Sequence, residues 1–415
     1  MVIVIMAGGR GTRIASVKAD VPKPMIPICG KPILEHQLLC LKEQGYHKVT
    51  LCVGYLGHVI REYFGDGERL GMEISYIEEK EPLGTAGALY FLKGKVHEDI
   101  LLLNGDIIFD VDIHRFQQFH QAHGQWATLF THPNSHPYDS GVLETDGEHL
   151  VTRWMTKEDT RTWYSNRVNA GLHILAPQVL DMIPELKKTD LDRDLLRPLV
   201  HQRRVIAYDS TEYVKDMGTP DRYYAVEEDV RSGLVHARNL LNRQRAVFFD
   251  RDGTINRYVG FLRSLDEFEL IPDTVEKIRW ANNNGYLAIV VTNQPVIARG
   301  EVTWDELSLI HKKMETLLGE KGVYVDDIFI CPHHPDKGFE GEVAAYKVNC
   351  DCRKPKPGLL LHAAAKYNID LSESFMVGDS DSDRKAAETA GCKAYIDVKD
   401  PWPFAETPQT EVFRS

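Results

Sequence analysis

Two apolar strand-forming runs, each leading straight into a motif able to grip phosphate, constrain this chain more than any other feature. Residues 2–6 run into Ala7-Gly8-Gly9-Arg10-Gly11-Thr12-Arg13, and residues 246–250 run into Arg251-Asp252-Gly253-Thr254. Open α/β sheets place their chemistry at such carboxyl ends of strands. Two starts of this kind call for two sheets. The length of 415 residues agrees, because a domain holds roughly 100–200 residues and a longer chain divides into two or three.

Alternation follows each start. In the first series residues 30–45 predict a helix, with Leu34, Leu38 and Leu41 on one face and Gly45 as its stop. Strands are expected at 48–54 and 73–79, a helix from about Thr85, and a strand at 99–104 ending in Asn104-Gly105-Asp106. The pattern loosens over 126–168, as insertions at a sheet edge covering a ligand would, and returns with a strand near 169–176. In the second series strands are expected at 286–292, 327–331, 375–378 and 393–397, and a helix after Thr303 carries a capping box with Glu306. The fold class is therefore α/β, as two Rossmann-like three-layer domains. The expected boundaries are 1–230, a polar semi-rigid linker at 231–243, a second domain at 244–400 and an irregular tail at 401–415.

The net charge of −12 argues against a nucleic-acid partner. No segment approaches the ~20 apolar residues of a membrane span, and the apolar start lacks a signal peptide's cationic flank. Seven cysteines, of which Cys331, Cys350 and Cys352 cluster near His333, suggest reduced thiols with a metal site in a cytoplasmic setting.

In the second series, Asp250 and Asp252 stand one residue apart at a strand tip. Two such carboxylates suit attack on phosphorus and protonation of the leaving oxygen around one Mg²⁺. Thr292-Asn293 ends another strand, Arg353-Lys354 precedes a helix, and Val377-Gly378-Asp379 ends a third strand with Asp383 four residues on. Asp379 suits a place in the Mg²⁺ set. Four elements in this order resemble the haloacid-dehalogenase superfamily of phosphatases. Cys331-Pro-His333-His334-Pro and Cys350-Asp-Cys352 look like its zinc-loop branch, a closed structural site of three thiolates and His333, with His334 as the alternative imidazole. Across about 245–397 the motifs are similar to those of the heptose bisphosphate phosphatases. That resemblance implies Asp250 as nucleophile, Asp252 as general acid, and Thr292 and Lys354 on the phosphoryl group. It implies Asn256, Asn293 and Arg353 at the substrate, Mg²⁺ on Asp250, Asp252 and Asp379, and Zn²⁺ on Cys331, His333, Cys350 and Cys352. Pro295-Val296 and Ser380 depart from the usual residues of that group.

In the first series, the glycines of 8–13 let a backbone approach a triphosphate, with Arg13 as a cation beside it. Gly-Lys-Ser/Thr is missing, so this is no Walker loop. Lys23, between two prolines, lies ten residues after Arg13. Together these residues look like the signature of the sugar-1-phosphate nucleotidyltransferases, over about 1–230. The resemblance implies Arg13 and Lys23 as catalytic cations, and Gly8, Gly9, Gly11 and Thr12 around the nucleotide. It further implies Gly84, Thr85 and Gly87 at base and sugar, Asn169 at the sugar, and Mg²⁺ on Asp106 and Asp216. Lys157 stands nearest to the family's sugar-phosphate lysine, although Thr156-Lys157-Glu158 lacks the proline of the usual Glu-Lys-Pro.

Fusion adds a constraint, since a phosphatase beside a sugar-1-phosphate nucleotidyltransferase must spare the anomeric phosphate. A heptose 1,7-bisphosphate satisfies this, and the resemblance implies GTP as the second substrate. The expected partners are small sugar phosphates and GTP, without nucleic acid or membrane and compatible with a homo-oligomer. The rivals are a histidinol-phosphate-type phosphatase joined to a mannose- or glucose-1-phosphate nucleotidyltransferase, and a scaffold that binds nucleotide without turnover.

Overall fold

The computed structural model describes residues 1–9, 21–338 and 340–404. Two compact units result: Met1–His132 with Leu143–Trp154 and Asn169–Asn239, and Pro133–Val142 with Met155–Val168 and Leu240–Ser415.

In the first unit, Val2–Met6 lies between two parallel neighbours, Lys48–Val53 and Ile100–Asn104. Glu73–Glu78 extends the parallel order, and Val168–Leu175 adds antiparallel to Ile100–Asn104. Ile3 and Ile5 pack on one face with Leu34, Leu38 and Leu41, whereas Val4 packs on the other with Leu102. Both faces are covered, which is why these strands read as unbroken apolar runs. From Val2–Met6 the chain builds outward through Lys48–Val53 and Glu73–Glu78, then returns to the opposite side with Ile100–Asn104. A topological switch point thus opens beyond Met6 and Asn104, where such sheets bind ligands.

The helix expected over 30–45 forms as Ile33–Glu43. The one expected from Thr85 does not propagate, and a 3-10 turn at Gly87–Leu92 stands in its place. Tertiary contact explains this. Gly84, at φ +81°, would put a Cβ 2.5 Å from the Thr189 carbonyl oxygen, and one on Gly87 would lie 2.6 Å from that of Lys187. The loop is pressed against another backbone before helix geometry can start. The polar stretch 231–243 expected as a linker begins on the last turn of the helix Pro220–Ser232, continues as the short helix Leu234–Ala237 and is otherwise non-helical.

The second unit holds a five-stranded parallel sheet in the order Asp327–Cys331, Tyr286–Asn293, Arg245–Phe249, Phe375–Gly378, Ala394–Asp397. Val247 and Phe249 bury on one face, Ala246 and Phe248 on the other. Here too the chain leaves the central strand to one side and returns on the other, so a switch point opens beyond Phe249 and Gly378. The expected helix after Thr303 is Trp304–Glu320, with the Thr303–Glu306 capping box formed. Part of the loosely patterned stretch belongs to this unit. The Thr316 hydroxyl accepts the Tyr164 N–H at 3.1 Å and donates to the Tyr164 carbonyl at 3.2 Å, and Glu315 accepts the Asn166 N–H at 3.3 Å. No helix among the described residues is long and apolar enough to cross a membrane.

Candidate active sites

At the first switch point a cleft of about 550 Å³ gathers Gly8, Gly9, Lys23, Gly84, Thr85 and Asp106. Lys23 opens a 3-10 turn between Pro22 and Pro24, and its Nζ reaches Asp106 Oδ2 at 2.5 Å. Asp106 follows the strand Ile100–Asn104, with the Gly105 N–H bonded to the Met6 carbonyl at 3.0 Å. Asp216 comes alongside through an antiparallel pairing that sets it opposite Ile107. Burial alone would raise its carboxyl. Arg222, at 3.0 Å, with the Gly218 N–H and Lys23, outweighs that and holds it below its ordinary value. Sequence reasoning passed over Arg222.

The remaining residues are placed variously. The Thr85 hydroxyl accepts the Leu191 N–H at 2.7 Å and donates to Asp190 at 3.3 Å. Asn169 Oδ1 accepts the Gly171 N–H at 3.4 Å. Lys157 is exposed, in a turn closed by the Asp159 N–H on the Thr156 carbonyl. Gly11, Thr12 and Arg13 lie outside the described residues.

At the second switch point Asp250, Asp379 and Asp383 bring carboxylate oxygens within 4.8 Å of one another. The Asp250 N–H continues the sheet ladder to the Val377 carbonyl at 3.0 Å. Gly253, at φ +84°, permits the convergence, because a Cβ there would stand 2.0 Å from Asp379 Oδ2. Lys354 Nζ bridges Asp250 at 2.7 Å and Asp383 at 2.6 Å. Burial pushes the Asp250 carboxyl up to about 7, with Lys354 opposing and Asp383 adding to the rise. Three carboxylates facing one lysine form an all-oxygen donor set suited to a hard divalent cation. Asp383, four residues beyond Asp379, is the member that sequence reasoning left without a role.

Asp252 is not in that group. Its carboxylate accepts from Arg251 Nη2 at 2.8 and 2.9 Å, from Gln294 Nε2 at 2.8 Å and from Asn256 Nδ2 at 3.2 Å. Arg251 is fully buried and also donates to His311 Nε2 at 3.0 Å and to Gln294 Oε1 at 3.0 Å. Burial, reinforced by Arg251, keeps the His311 ring neutral, so its Nε2 accepts. A buried guanidinium needs such a complete set of acceptors, and it draws Asp252 aside from the other three carboxylates. Gln294 further donates to Thr292 Oγ1 at 2.8 Å. Asn293 clamps the neighbouring loop from both ends: its Nδ2 donates to the Lys354 carbonyl at 3.0 Å, and its Oδ1 accepts the Lys354 N–H at 3.1 Å.

The sulfur-rich loop closes on itself. Cys331, Cys350 and Cys352 place their Sγ atoms 3.3–3.6 Å apart, and His333 Nδ1 lies 3.3 Å from Cys352 Sγ and 3.7 Å from Cys331 Sγ. Tetrahedral zinc with Zn–S near 2.3 Å spaces its sulfurs about 3.8 Å apart, so the donor set and its size are compatible with zinc. His334 turns the other way, its Nδ1 accepting the Asp336 N–H at 3.3 Å. Arg353, next to Cys352, donates from Nη1 to the His333 carbonyl at 3.1 Å. The loop is thereby tied to the segment that delivers Lys354.

Comparison with known proteins agrees with both halves. Residues 2–233 match the nucleotidyl transferase family, and residues 351–396 match the HAD-hydrolase-like family. A mannose-1-phosphate guanylyltransferase of Mycobacterium tuberculosis is 32% identical over 235 residues, 56% of this chain and 65% of that protein. A D-glycero-beta-D-manno-heptose-1,7-bisphosphate 7-phosphatase of Pasteurella multocida is 41% identical over 163 residues, 39% of this chain and 86% of that protein. A crystal structure of HddC from Yersinia pseudotuberculosis complexed with GMP-PN is 27% identical, covering 55% of this chain and 98% of that one at a TM-score of 0.47. The chain spans just under two thirds of the length of the guanylyltransferase it matches. It belongs to the nucleotidyl transferase family through residues 2–233, and its second half is a phosphatase of the HAD-hydrolase-like kind.

Proposed function

We propose that this is a bifunctional enzyme of nucleotide-activated heptose synthesis. Its second unit removes the 7-phosphate of D-glycero-D-manno-heptose 1,7-bisphosphate, and its first joins heptose 1-phosphate to GTP, giving GDP-heptose and pyrophosphate. The reading rests chiefly on the presence, in one chain, of a half similar to a heptose bisphosphate 7-phosphatase and a half similar to guanylyltransferases. The first reaction leaves the anomeric phosphate that the second needs.

In the second unit Asp250 is the nucleophile, with Lys354 against its carboxylate to offset the charge of an approaching phosphate. Asp252, steadied by Arg251 and Gln294, is the general acid for the leaving sugar oxygen. Thr292, Asn256, Asn293 and Arg353 surround the substrate. Asp250, Asp379 and Asp383 would hold Mg²⁺, with no carboxylate from Asp252. Bound there, Mg²⁺ supplies charge neutralisation at the phosphoryl oxygens. Cys331, His333, Cys350 and Cys352 would hold a structural Zn²⁺.

In the first unit Gly8 and Gly9 give the nucleotide a close approach to backbone, and Lys23 offers positive charge at the reacting phosphates. Asp106 and Asp216 would hold Mg²⁺. Gly11, Thr12, Arg13, Gly84, Thr85, Gly87, Lys157 and Asn169 complete the binding surface in this reading. The sugar phosphate oxygen attacks the α-phosphorus, and pyrophosphate leaves in line.

Purified protein with Mg²⁺ is expected to release one phosphate from the bisphosphate, and then pyrophosphate when GTP is added. Absence of bisphosphate turnover, or faster hydrolysis of histidinol phosphate, would overturn the assignment.

A further inference from the structure

Arg251 stands in sequence between two aspartates of the second site, is fully buried, and directs each of its three nitrogens to an acceptor. Nε and Nη2 fork onto the Asp252 carboxylate at 3.1 and 2.8 Å, and Nη2 also meets Gln294 Oε1 at 3.0 Å. Nη1 donates to His311 Nε2 at 3.0 Å, and among the described residues it meets no other acceptor. His311 belongs to the helix Trp304–Glu320 and is 6% exposed. Its neighbours on that helix, Leu307, Ile310 and Met314, are buried and apolar, so a polar ring there answers to Arg251 and not to the core. Burial and the adjacent guanidinium keep the ring neutral, which leaves Nε2 a lone pair to offer. Gln294 closes the circuit, since its Nε2 donates to Asp252 Oδ2 at 2.8 Å while its Oε1 accepts from Arg251.

We propose that His311 is a positioning residue for the general acid: through Arg251 it fixes the Asp252 carboxyl where the leaving oxygen departs. This rests on the phosphatase reading above and extends it to a residue that meets Asp252 only through Arg251. In that reading an Asp250 oxygen bonds to phosphorus, the bond from phosphorus to the sugar oxygen breaks, and the Asp252 proton passes to that oxygen. The transfer needs the acid within hydrogen-bond reach of the departing atom, and a shift of ~1 Å costs ~10²-fold. Asp252 lies in the turn after the strand Arg245–Phe249, followed directly by Gly253 at φ +84°, so the turn alone holds its carboxyl loosely. The planar guanidinium supplies the missing constraint. Without His311, Nη1 would be left buried and unpaired, a penalty that favours rotation of the guanidinium. Because the fork is rigid, that rotation carries Asp252 with it.

The test separates the acid from the rest of the site by leaving group. An alkyl phosphate releases an alkoxide that needs the proton, whereas p-nitrophenolate leaves without one. Values of kcat/KM, which cover the step forming the aspartyl phosphate, are compared on the full chain for heptose 1,7-bisphosphate and p-nitrophenyl phosphate. His311→Phe keeps a ring of similar size without an acceptor. It is expected to lower kcat/KM by ~10–100-fold for the sugar ester and by less than about 3-fold for the aryl ester. His311→Gln restores an acceptor and is expected to bring the sugar ester back to within about 5-fold of the unaltered protein. Equal losses on both esters, or none on either, in folded protein overturn the proposal. If His311→Phe does not fold, Arg251→Met removes the intermediary and is expected to show the same split, and equal losses there overturn the proposal too. If the bisphosphate is not hydrolysed but another alkyl ester such as mannose 6-phosphate is, the sugar assignment fails and the split is read on that ester. Failure to hydrolyse any ester removes the phosphatase reading and this proposal with it.

Discussion

Lys354 is shared by two carboxylates, half-buried Asp250 at 2.7 Å and buried Asp383 at 2.6 Å, and in the function proposed above this sharing separates nucleophile from support. Removing the charge of Asp250 removes the attacking oxygen, so Asp250→Asn should lower phosphate release by roughly 10³-fold or more while leaving pyrophosphate release intact. Loss of both activities in folded protein would contradict the two-site partition. In the function proposed above Asp383 acts on substrate through Lys354 and the metal set. Asp383→Asn should therefore lower kcat by ~10–100-fold and raise the Mg²⁺ concentration needed for half-maximal rate. An unchanged Mg²⁺ requirement would confine Asp383 to holding Lys354. Asp250 was legible in the sequence because a carboxylate directly after an apolar strand has few structural reasons to be there. Asp383 was not, because only the turn after Gly378 decides that it points inward.

At the scale of elements, the loop from Cys331 to Cys352 brings few apolar side chains to its unit, and its donor cluster closes it instead. About one zinc per chain is expected by elemental analysis of protein purified without chelator. Cys352→Ser should lower zinc content and cut phosphate release by roughly 10–100-fold, since Arg353 and Lys354 follow directly. Nucleotidyl transfer should be spared, and full zinc with full activity in that variant would refute the arrangement. The spacing of the cysteines and histidines was readable. The fold sets His333 among the three thiols and turns the His334 ring toward the Asp336 N–H. The turn at 84–92 illustrates the converse. Its residues tolerate a helix, but the Thr189 and Lys187 carbonyls occupy the space beside Gly84 and Gly87.

At the scale of the molecule, contacts distant in sequence carry part of the stability. Glu315, which accepts the Asn166 N–H, has its carboxyl pushed up to about 7 by burial, with Arg167 opposing. Below the ordinary carboxylate range both folded and unfolded chains keep this proton, and its contribution is fully present. As pH rises the unfolded chain releases the proton first, so stability falls until pH passes about 7. Glu315→Gln cannot ionise, and its stability relative to the unaltered protein should grow between pH 5 and pH 8 by ~1–3 kcal/mol. Urea unfolding at the two pH values measures this. A constant difference would mean that Glu315 ionises as freely folded as unfolded.

The amino-acid sequence by itself determined the two α/β series, the strands that end in chemistry and the families they resemble. Each of these depends on local periodicity and on residues adjacent in the chain. Only the tertiary structure decided that Asp383 and not Asp252 joins the carboxylate cluster, because the fully buried Arg251 must satisfy its donors and takes Asp252 with it. It also set Glu79 against Gly8 and Gly54, residues from three different strand ends. Burial and close approach arise only when distant segments compete for the same space, and local pattern carries no record of that competition.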